Sequence, residues 1–156
     1  MKYKSKNYFI DSLKAESLAK RYSTPLYCYS FKKLKNNIIN FKQNFKPINP
    51  IICFAVKANS NGKILRELGK LGLGADVVSI GELIKSLKSG IKPNKIVFSG
   101  VGKTEDEIRY AIKKKILLIN TESESEILTI EKIAKSEKKV VDIGIRINPN
   151  TDAKTL

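Results

Sequence analysis

The sequence predicts an α/β fold built on a parallel sheet, because strand-like and helix-like segments alternate regularly from residue 51 onward. The strand-like segments are short and rich in aliphatic residues, and they cover residues 51–56, 75–79, 95–99, 116–120 and 140–149. Apolar residues at helical spacing fill 62–71, 80–89 and 125–136, and Thr104 is the expected N-cap of a further helix. Strands joined in this way form right-handed βαβ units within one sheet.

Two architectures are compatible with this alternation, a doubly wound open sheet and the first part of a (β/α)8 barrel. Polar residues lie at or just past the carboxyl ends of the predicted strands, as they do at the mouth of a barrel, where these ends converge. These residues are Lys57, Asn59, Asp76, Ser79, Ser99, Asn120, Arg146 and Asn148. A dinucleotide-binding fold is disfavoured, because Gly72-Leu73-Gly74 precedes a strand instead of joining a strand to a helix. We therefore predict a (β/α)8 TIM barrel, present here as about five β/α units.

Composition narrows the possible functions. The 156 residues correspond to one domain of ordinary size. The formal charge of +15 comes from lysines that are spread over all predicted helices and turns, with few arginines, so we expect no specific nucleic-acid partner. No apolar run approaches the roughly 18 residues of a membrane span, and we expect no membrane association. The chain has no histidine and no cluster of carboxylates, so no metal site is predicted. Cys28 and Cys53 are expected to be reduced, as in a cytoplasmic protein.

The segment ahead of the barrel differs in character. Residues 24–30 are β-prone, with Pro25 suited to an edge position, and 31–45 form an amphipathic helix. We divide the chain at this point: residues 1–30 carry a strand expected to pair with a C-terminal β domain that this chain does not contain. Residues 31–156 are the first part of the barrel.

The most informative single residue is Lys57, which directly follows the apolar strand 51–56. A lysine in apolar surroundings can lose its proton and attack a carbonyl group, which makes it a candidate for covalent catalysis. The alternative is a lysine that marks the exit of the strand into solvent. In a lysine-rich chain this alternative carries weight.

Four motifs resemble one family, in their order and spacing. They are Thr-Pro-Leu-Tyr at 24–27, Phe-Ala-Val-Lys-Ala-Asn at 54–59, Gly-Ala-Asp-Val-Val-Ser at 74–79 followed by Gly81-Glu82-Leu83, and Arg-Ile-Asn-Pro at 146–149. Together they resemble the diaminopimelate decarboxylases, pyridoxal-phosphate enzymes of the alanine-racemase-like barrel class. The motif around Lys57 alone is shared with amino-acid racemases, ornithine- and arginine-type decarboxylases and non-catalytic cofactor-binding barrel proteins. These remain the alternatives.

By this resemblance, the chain is part of an enzyme that converts meso-2,6-diaminopimelate to L-lysine in lysine biosynthesis. Lys57 is the catalytic residue: it holds the aldehyde of pyridoxal 5'-phosphate as a Schiff base and yields it to the amino group of the substrate. The partners implied are a small amino-acid substrate and, for the full-length family, a second copy in a homodimer.

The resemblance also implies a set of cofactor-binding residues around Lys57. Asp76 and Glu82 would orient the lysine or its hydrogen-bond network, and Arg146, expected to face inward on the fifth strand, would face the cofactor. Ser79 and Asn59 are further candidates. Each has a structural alternative: Asp76 as a satisfied residue of the strand, Glu82 as an acid near a helix N-terminus, and Arg146 as half of an ion pair.

The chain departs from the family pattern in two respects. A complete barrel takes roughly 250 residues, whereas this chain offers five strands. The family continues Asp-Ala-Lys-Thr with a histidine, whereas Asp152-Ala153-Lys154-Thr155 is followed here by Leu156. We therefore expect an N-terminal portion that is inactive on its own.

Overall fold

The computed structural model describes residues 2–4, 6–151 and 154, which fall into two compact units, residues 1–50 and 51–156. The predicted departure from the family pattern concerns Asp152, Ala153, Thr155 and Leu156, which lie outside the described residues. Each helix within the described part is too short or too polar to cross a bilayer.

The first unit contains a small antiparallel sheet that the sequence did not reveal. Its strands are β1 (Lys2–Lys4), β2 (Asn7–Ile10) and β3 (Leu13–Lys14), followed by helices α1 (Ala15–Tyr22) and α2 (Phe31–Asn44) and a 3-10 turn at Lys46–Ile48. Residues 24–30 pair with no strand among the residues that the structure describes, and a ladder needs such a partner. Their pairing with a β domain stays a prediction. Helix α2 begins as predicted, with the Ser30 hydroxyl accepting a hydrogen bond from the Lys33 amide at 3.0 Å.

The second unit is a five-stranded parallel sheet with one helix after each of its first four strands, which confirms the predicted α/β class. The strands, in spatial as well as chain order, are β4 (Cys53–Ala55), β5 (Gly74–Val77), β6 (Ile96–Phe98), β7 (Leu118–Thr121) and β8 (Ile143–Ile145). The helices are α3 (Gly62–Lys70), α4 (Ile80–Lys88), α5 (Glu105–Lys114) and α6 (Glu124–Ser136). Within the described part of the chain, each strand pairs only with its neighbours in sequence, as in the wall of a barrel, and β4 and β8 form the two edges of the sheet.

The two faces of this sheet differ because side chains alternate along each strand. One face packs against the helices and forms the core together with Leu65, Leu83 and Ile108. Its fully buried strand residues are Ala75, Val77, Ile96, Phe98 and Ile119. The other face, which we call the inner face, carries half-buried residues that alternate with these. They are Cys53, Ala55, Asp76, Val97, Ser99, Leu118 and Asn120.

Three of the helices begin with the same local motif, a hydroxyl residue followed three positions later by glutamate. Thr104 and Glu107 form a complete capping box at α5. Ser79 precedes α4 and Ser123 precedes α6, and each accepts a hydrogen bond from the amide of the glutamate at the third helical position. This motif places the turn between strand and helix at the carboxyl edge of the sheet.

The last strand is much shorter than predicted. Residues 140–149 read as one long strand, but only Ile143–Ile145 pair, with Ile119–Thr121 of β7. Among the described residues, β8 pairs with β7 alone, and the pairing ends at Ile145 because β7 itself ends at Thr121. One more backbone bond follows, from the Arg146 amide to the Thr121 carbonyl at 3.0 Å, and the chain then leaves the sheet.

Candidate active site at the carboxyl edge of the sheet

Lys57 lies directly after β4, in a 3-10 turn formed by Val56–Ala58. Val56 is fully buried and anchors the turn, whereas the Lys57 side chain is exposed. Lys57 forms no hydrogen bond or ion pair with any other residue that the structure describes. Its amine is therefore free to react with a bound molecule, although it is not enclosed by the open sheet.

Asn59 directly follows this 3-10 turn. Its Oδ1 accepts a hydrogen bond from the Asn61 amide at 3.0 Å, and Asn61 in turn caps α3. The structure thus shows Asn59 in a local turn, and its predicted place in the cofactor site stays a prediction.

Asp76 lies on the inner face of β5, in register with Ala55 of β4. Its Oδ1 accepts a hydrogen bond of 2.6 Å from the Ser99 hydroxyl, and Ser99 accepts one of 2.9 Å from the Asn120 amide. Polar residues from β5, from the residue after β6 and from β7 are therefore joined in one hydrogen-bonded network. Burial raises the pKa of the Cys53 thiol, and the nearby charge of Asp76 raises it further.

Ser79 and Glu82 lie together where β5 turns into α4. The Ser79 hydroxyl accepts a hydrogen bond from the Glu82 amide at 3.3 Å, and Oε2 of Glu82 accepts one from the Val78 amide at 2.9 Å. Both side chains hold the N-terminus of α4 in place, which corresponds to the structural alternative for Glu82. Their predicted contact with a cofactor stays a prediction.

Arg146 does not lie within the fifth strand as predicted, because β8 ends one residue earlier. Its guanidinium is 3.3 Å from Oε1 of Glu122, with 53% of the arginine side chain exposed, and it donates to Oδ1 of Asn148 at 3.3 Å. The ion pair considered as an alternative is therefore present. It leaves half of the arginine surface accessible to an anion.

One buried charge at this edge was missed by the sequence analysis. The Lys103 ammonium lies 2.7 Å from the carbonyl oxygen of Asn120 and 2.9 Å from Oε1 of Glu126. Oε2 of Glu126 accepts a hydrogen bond from the Glu122 amide at 2.8 Å. The only available signal was the Ser-x-x-Glu motif that ends at Glu126, since nothing in the sequence separates Lys103 from the other lysines.

Comparison with known proteins adds a family to this geometry. Residues 31–156 match the model described as pyridoxal-dependent decarboxylase, pyridoxal binding domain. The chain belongs to this family. The cofactor class and the part of an alanine-racemase-like (β/α)8 barrel that the sequence predicted are thereby confirmed.

Individual members of the pyridoxal-dependent decarboxylase family are close in sequence and structure. The chain is 55% identical over 140 residues to diaminopimelate decarboxylase of Helicobacter pylori, which covers 90% of this chain and 35% of that protein. A crystal structure of diaminopimelate decarboxylase from Helicobacter pylori complexed with L-lysine has a TM-score of 0.86 at 53% identity, covering 90% of this chain and 36% of that one. The enzyme from M. jannaschii in co-complex with L-lysine has a TM-score of 0.92 at 39% identity, covering 99% and 37%. The chain thus spans about a third of the length of the relatives it matches.

The residues present fit the reactive end of the family's cofactor. A free amine at Lys57 suits an aldehyde, and the exposed half of Arg146 suits an anionic group. The inner face of the sheet carries the carboxylate of Asp76, whose orientation is defined by a hydrogen bond. These residues stand at the carboxyl edge of a parallel sheet, where ligands of barrel enzymes bind.

Proposed function

We propose that this chain supplies the cofactor-binding part of a diaminopimelate decarboxylase, which releases carbon dioxide from meso-2,6-diaminopimelate and forms L-lysine. The observation that carries the proposal is the free amine of Lys57 at the carboxyl edge of the sheet, in a chain of the pyridoxal-dependent decarboxylase family. Relatives at 53–55% identity that carry this enzyme's name support the choice of substrate.

Within this function, Lys57 would hold the aldehyde end of the cofactor through its amine, at the carboxyl edge of the sheet. When bound, pyridoxal phosphate supplies an electron sink that stabilises the carbanion left by loss of the carboxylate. Asp76 orients the lysine side chain, and Arg146 faces the cofactor with the part of its guanidinium that Glu122 leaves exposed. Ser79 and Glu82 hold the N-terminus of α4 beside the site.

We also propose that the complete enzyme is a cytoplasmic homodimer. The cytoplasmic location is supported by Cys28 and Cys53, which are both free. The dimer is supported by the family resemblance of the sequence motifs, and sedimentation of a complete enzyme containing this chain tests it.

The assignment of Lys57 is tested by reductive trapping. The purified chain is mixed with pyridoxal phosphate, reduced with borohydride and digested, and the labelled peptide is identified by mass spectrometry. We expect the label on Lys57, loss of that label in Lys57→Ala and no change in Lys63→Ala, which removes an exposed lysine of α3. Label spread evenly over many lysines contradicts a dedicated site.

The activity itself is tested in a chimera. Residues 1–156 replace the matching third of the Helicobacter pylori enzyme, to which they are 55% identical, and release of carbon dioxide from meso-diaminopimelate is measured. We expect activity that Lys57→Ala abolishes. A chimera that folds, binds pyridoxal phosphate and acts on another amino acid instead contradicts the proposed substrate.

A further inference from the structure

We propose that Ser99 and Asn120 are positioning residues that hold the carboxylate of Asp76 in one orientation for its action on Lys57. This inference rests on the proposed function of Lys57 as the cofactor-binding residue. It concerns two side chains that form hydrogen bonds toward Asp76 and none with Lys57 among the described residues.

The hydrogen bonds that join Asn120, Ser99 and Asp76 into one network all run in the same direction. Asn120 donates through Nδ2 to the Ser99 oxygen at 2.9 Å, and a serine hydroxyl has a single proton to donate in turn. That proton goes to Oδ1 of Asp76 at 2.6 Å. Asp76 is therefore the acceptor at the end of this network. Its other oxygen, Oδ2, accepts no hydrogen bond from the described residues. A carboxylate held at one oxygen has the other available for an ammonium or amine.

Asn120, at one end of this network, is itself held in place by its neighbours. The backbone carbonyl of Asn120 accepts a hydrogen bond of 2.7 Å from the ammonium of Lys103. The Lys103 side chain is 1% exposed and forms an ion pair with Glu126. On the other side, Asn120 is in register with Gly144 of β8, and a Cβ on Gly144 would overlap Oδ1 of Asn120. A larger residue at position 144 would therefore force the Asn120 amide out of its present position.

Asp76, at the other end of this network, lies on the strand next to the one that leads to Lys57. Asp76 is in register with Ala55, two residues before Lys57, and the 3-10 turn that carries the lysine contacts β5. An exposed lysine has many rotamers, and a carboxylate held in one orientation on the neighbouring strand would favour the rotamers from which the lysine attacks an aldehyde. Loss of the Ser99 hydroxyl lets Asp76 rotate, and we expect the rate of attack to fall by about tenfold, since small misplacements carry large rate effects.

The experiment measures the rate constant for labelling of Lys57 by pyridoxal phosphate and borohydride, as a function of pH. Ser99→Ala, Asn120→Ala and Gly144→Ala are expected to lower it and to change its pH profile in the same way as Asp76→Asn. Ser99→Thr, which keeps the hydroxyl, is expected to retain most of the rate. Ser125→Ala and Asn94→Ala replace exposed residues of the same types and serve as controls.

A double-mutant cycle separates positioning from a general structural role. Ser99→Ala is expected to lower the rate in the original chain and to have no further effect in the Asp76→Asn background. If Ser99→Ala does not fold, as judged by circular dichroism, Ser99→Cys is used in the same cycle, because it is similar in size and a much weaker donor.

The outcomes are distinct. If the original chain is not labelled at Lys57, the proposed function fails and this inference fails with it. If Lys57 is labelled but the Ser99 and Asn120 variants react at the original rate and with the original pH profile, the positioning role is overturned while the proposed function stands. Equal losses with and without Asp76→Asn also overturn it.

Discussion

The ammonium of Lys103 lies 2.9 Å from a carboxylate oxygen of Glu126, and the two side chains are 1% and 10% exposed. Removing one partner of such a pair leaves the other charge buried, which costs about 3–5 kcal/mol. We expect Glu126→Gln to lower the free energy of unfolding of the chain by roughly this amount in urea titrations. The amide oxygen of the new side chain can still accept from the Glu122 amide, so the loss reports the ion pair.

Two comparisons complete this experiment. Lys103→Met combined with Glu126→Gln is expected to recover part of the loss, because no unpaired charge remains. Glu131→Gln breaks the exposed pair with Lys135, 55% and 74% exposed, and should change the free energy of unfolding by less than about 0.5 kcal/mol. Equal effects of Glu126→Gln and Glu131→Gln contradict the burial argument.

The alternation of apolar segments was sufficient to predict five parallel strands and the helices between them, because each β/α unit is local in sequence. Lys57 could be proposed as the cofactor-binding residue because its strand and its motif are also local. Lys103 was not found, because its partner lies 23 residues away and its neighbours in sequence carry no signal. The position of Arg146 depended on where β8 ends, which is set by its partner strand, and the strands of the first unit gave no clear periodicity.

The carboxylate of Glu107 predicts a pH dependence of stability. Hydrogen bonds from the backbone amides of Thr104 and Ile80 lower its pKa below the ordinary 4.5, with the Thr104 amide as the largest cause and with burial opposing. A pKa lowered by folding adds stability at pH values above 4.5, and this stability is lost as the pH falls through the lowered value. We expect Glu107→Gln to flatten the acid side of the stability curve.

This prediction is checked by measuring the free energy of unfolding at several pH values on both sides of 4.5. The control is Glu124→Gln, which removes an exposed acid from the first turn of α6. If Glu107→Gln and the original chain lose stability in parallel as the pH falls, the carboxylate does not contribute as described.

We expect the chain to associate with itself through exposed aliphatic side chains on and beside β8. Ile145 and Ile147 are 68% and 80% exposed, and Val140 is fully exposed beside an unpaired strand edge. Exposed edges with aliphatic side chains pair with other chains. We expect concentration-dependent association in sedimentation velocity, reduced by Ile147→Lys. Leu128→Lys adds the same charge at a 59% exposed position of α6 and should leave association unchanged. Equal reduction by both variants points to charge repulsion instead of the β8 surface.

The openness of the sheet predicts that the chain alone does not catalyse decarboxylation. The inner face that carries Asp76 is half-buried and the Lys57 side chain is exposed, so water reaches the groups on which the chemistry depends. Enzymes that form carbanions exclude water from the site, which strengthens electrostatic interactions and prevents side reactions. We expect the purified chain to be labelled at Lys57 by trapping and to release no carbon dioxide from meso-diaminopimelate. The chimera with the remainder of the Helicobacter pylori enzyme is the positive control. Release of carbon dioxide by the chain alone, abolished by Lys57→Ala, would show that five strands and four helices of the barrel are sufficient for the reaction.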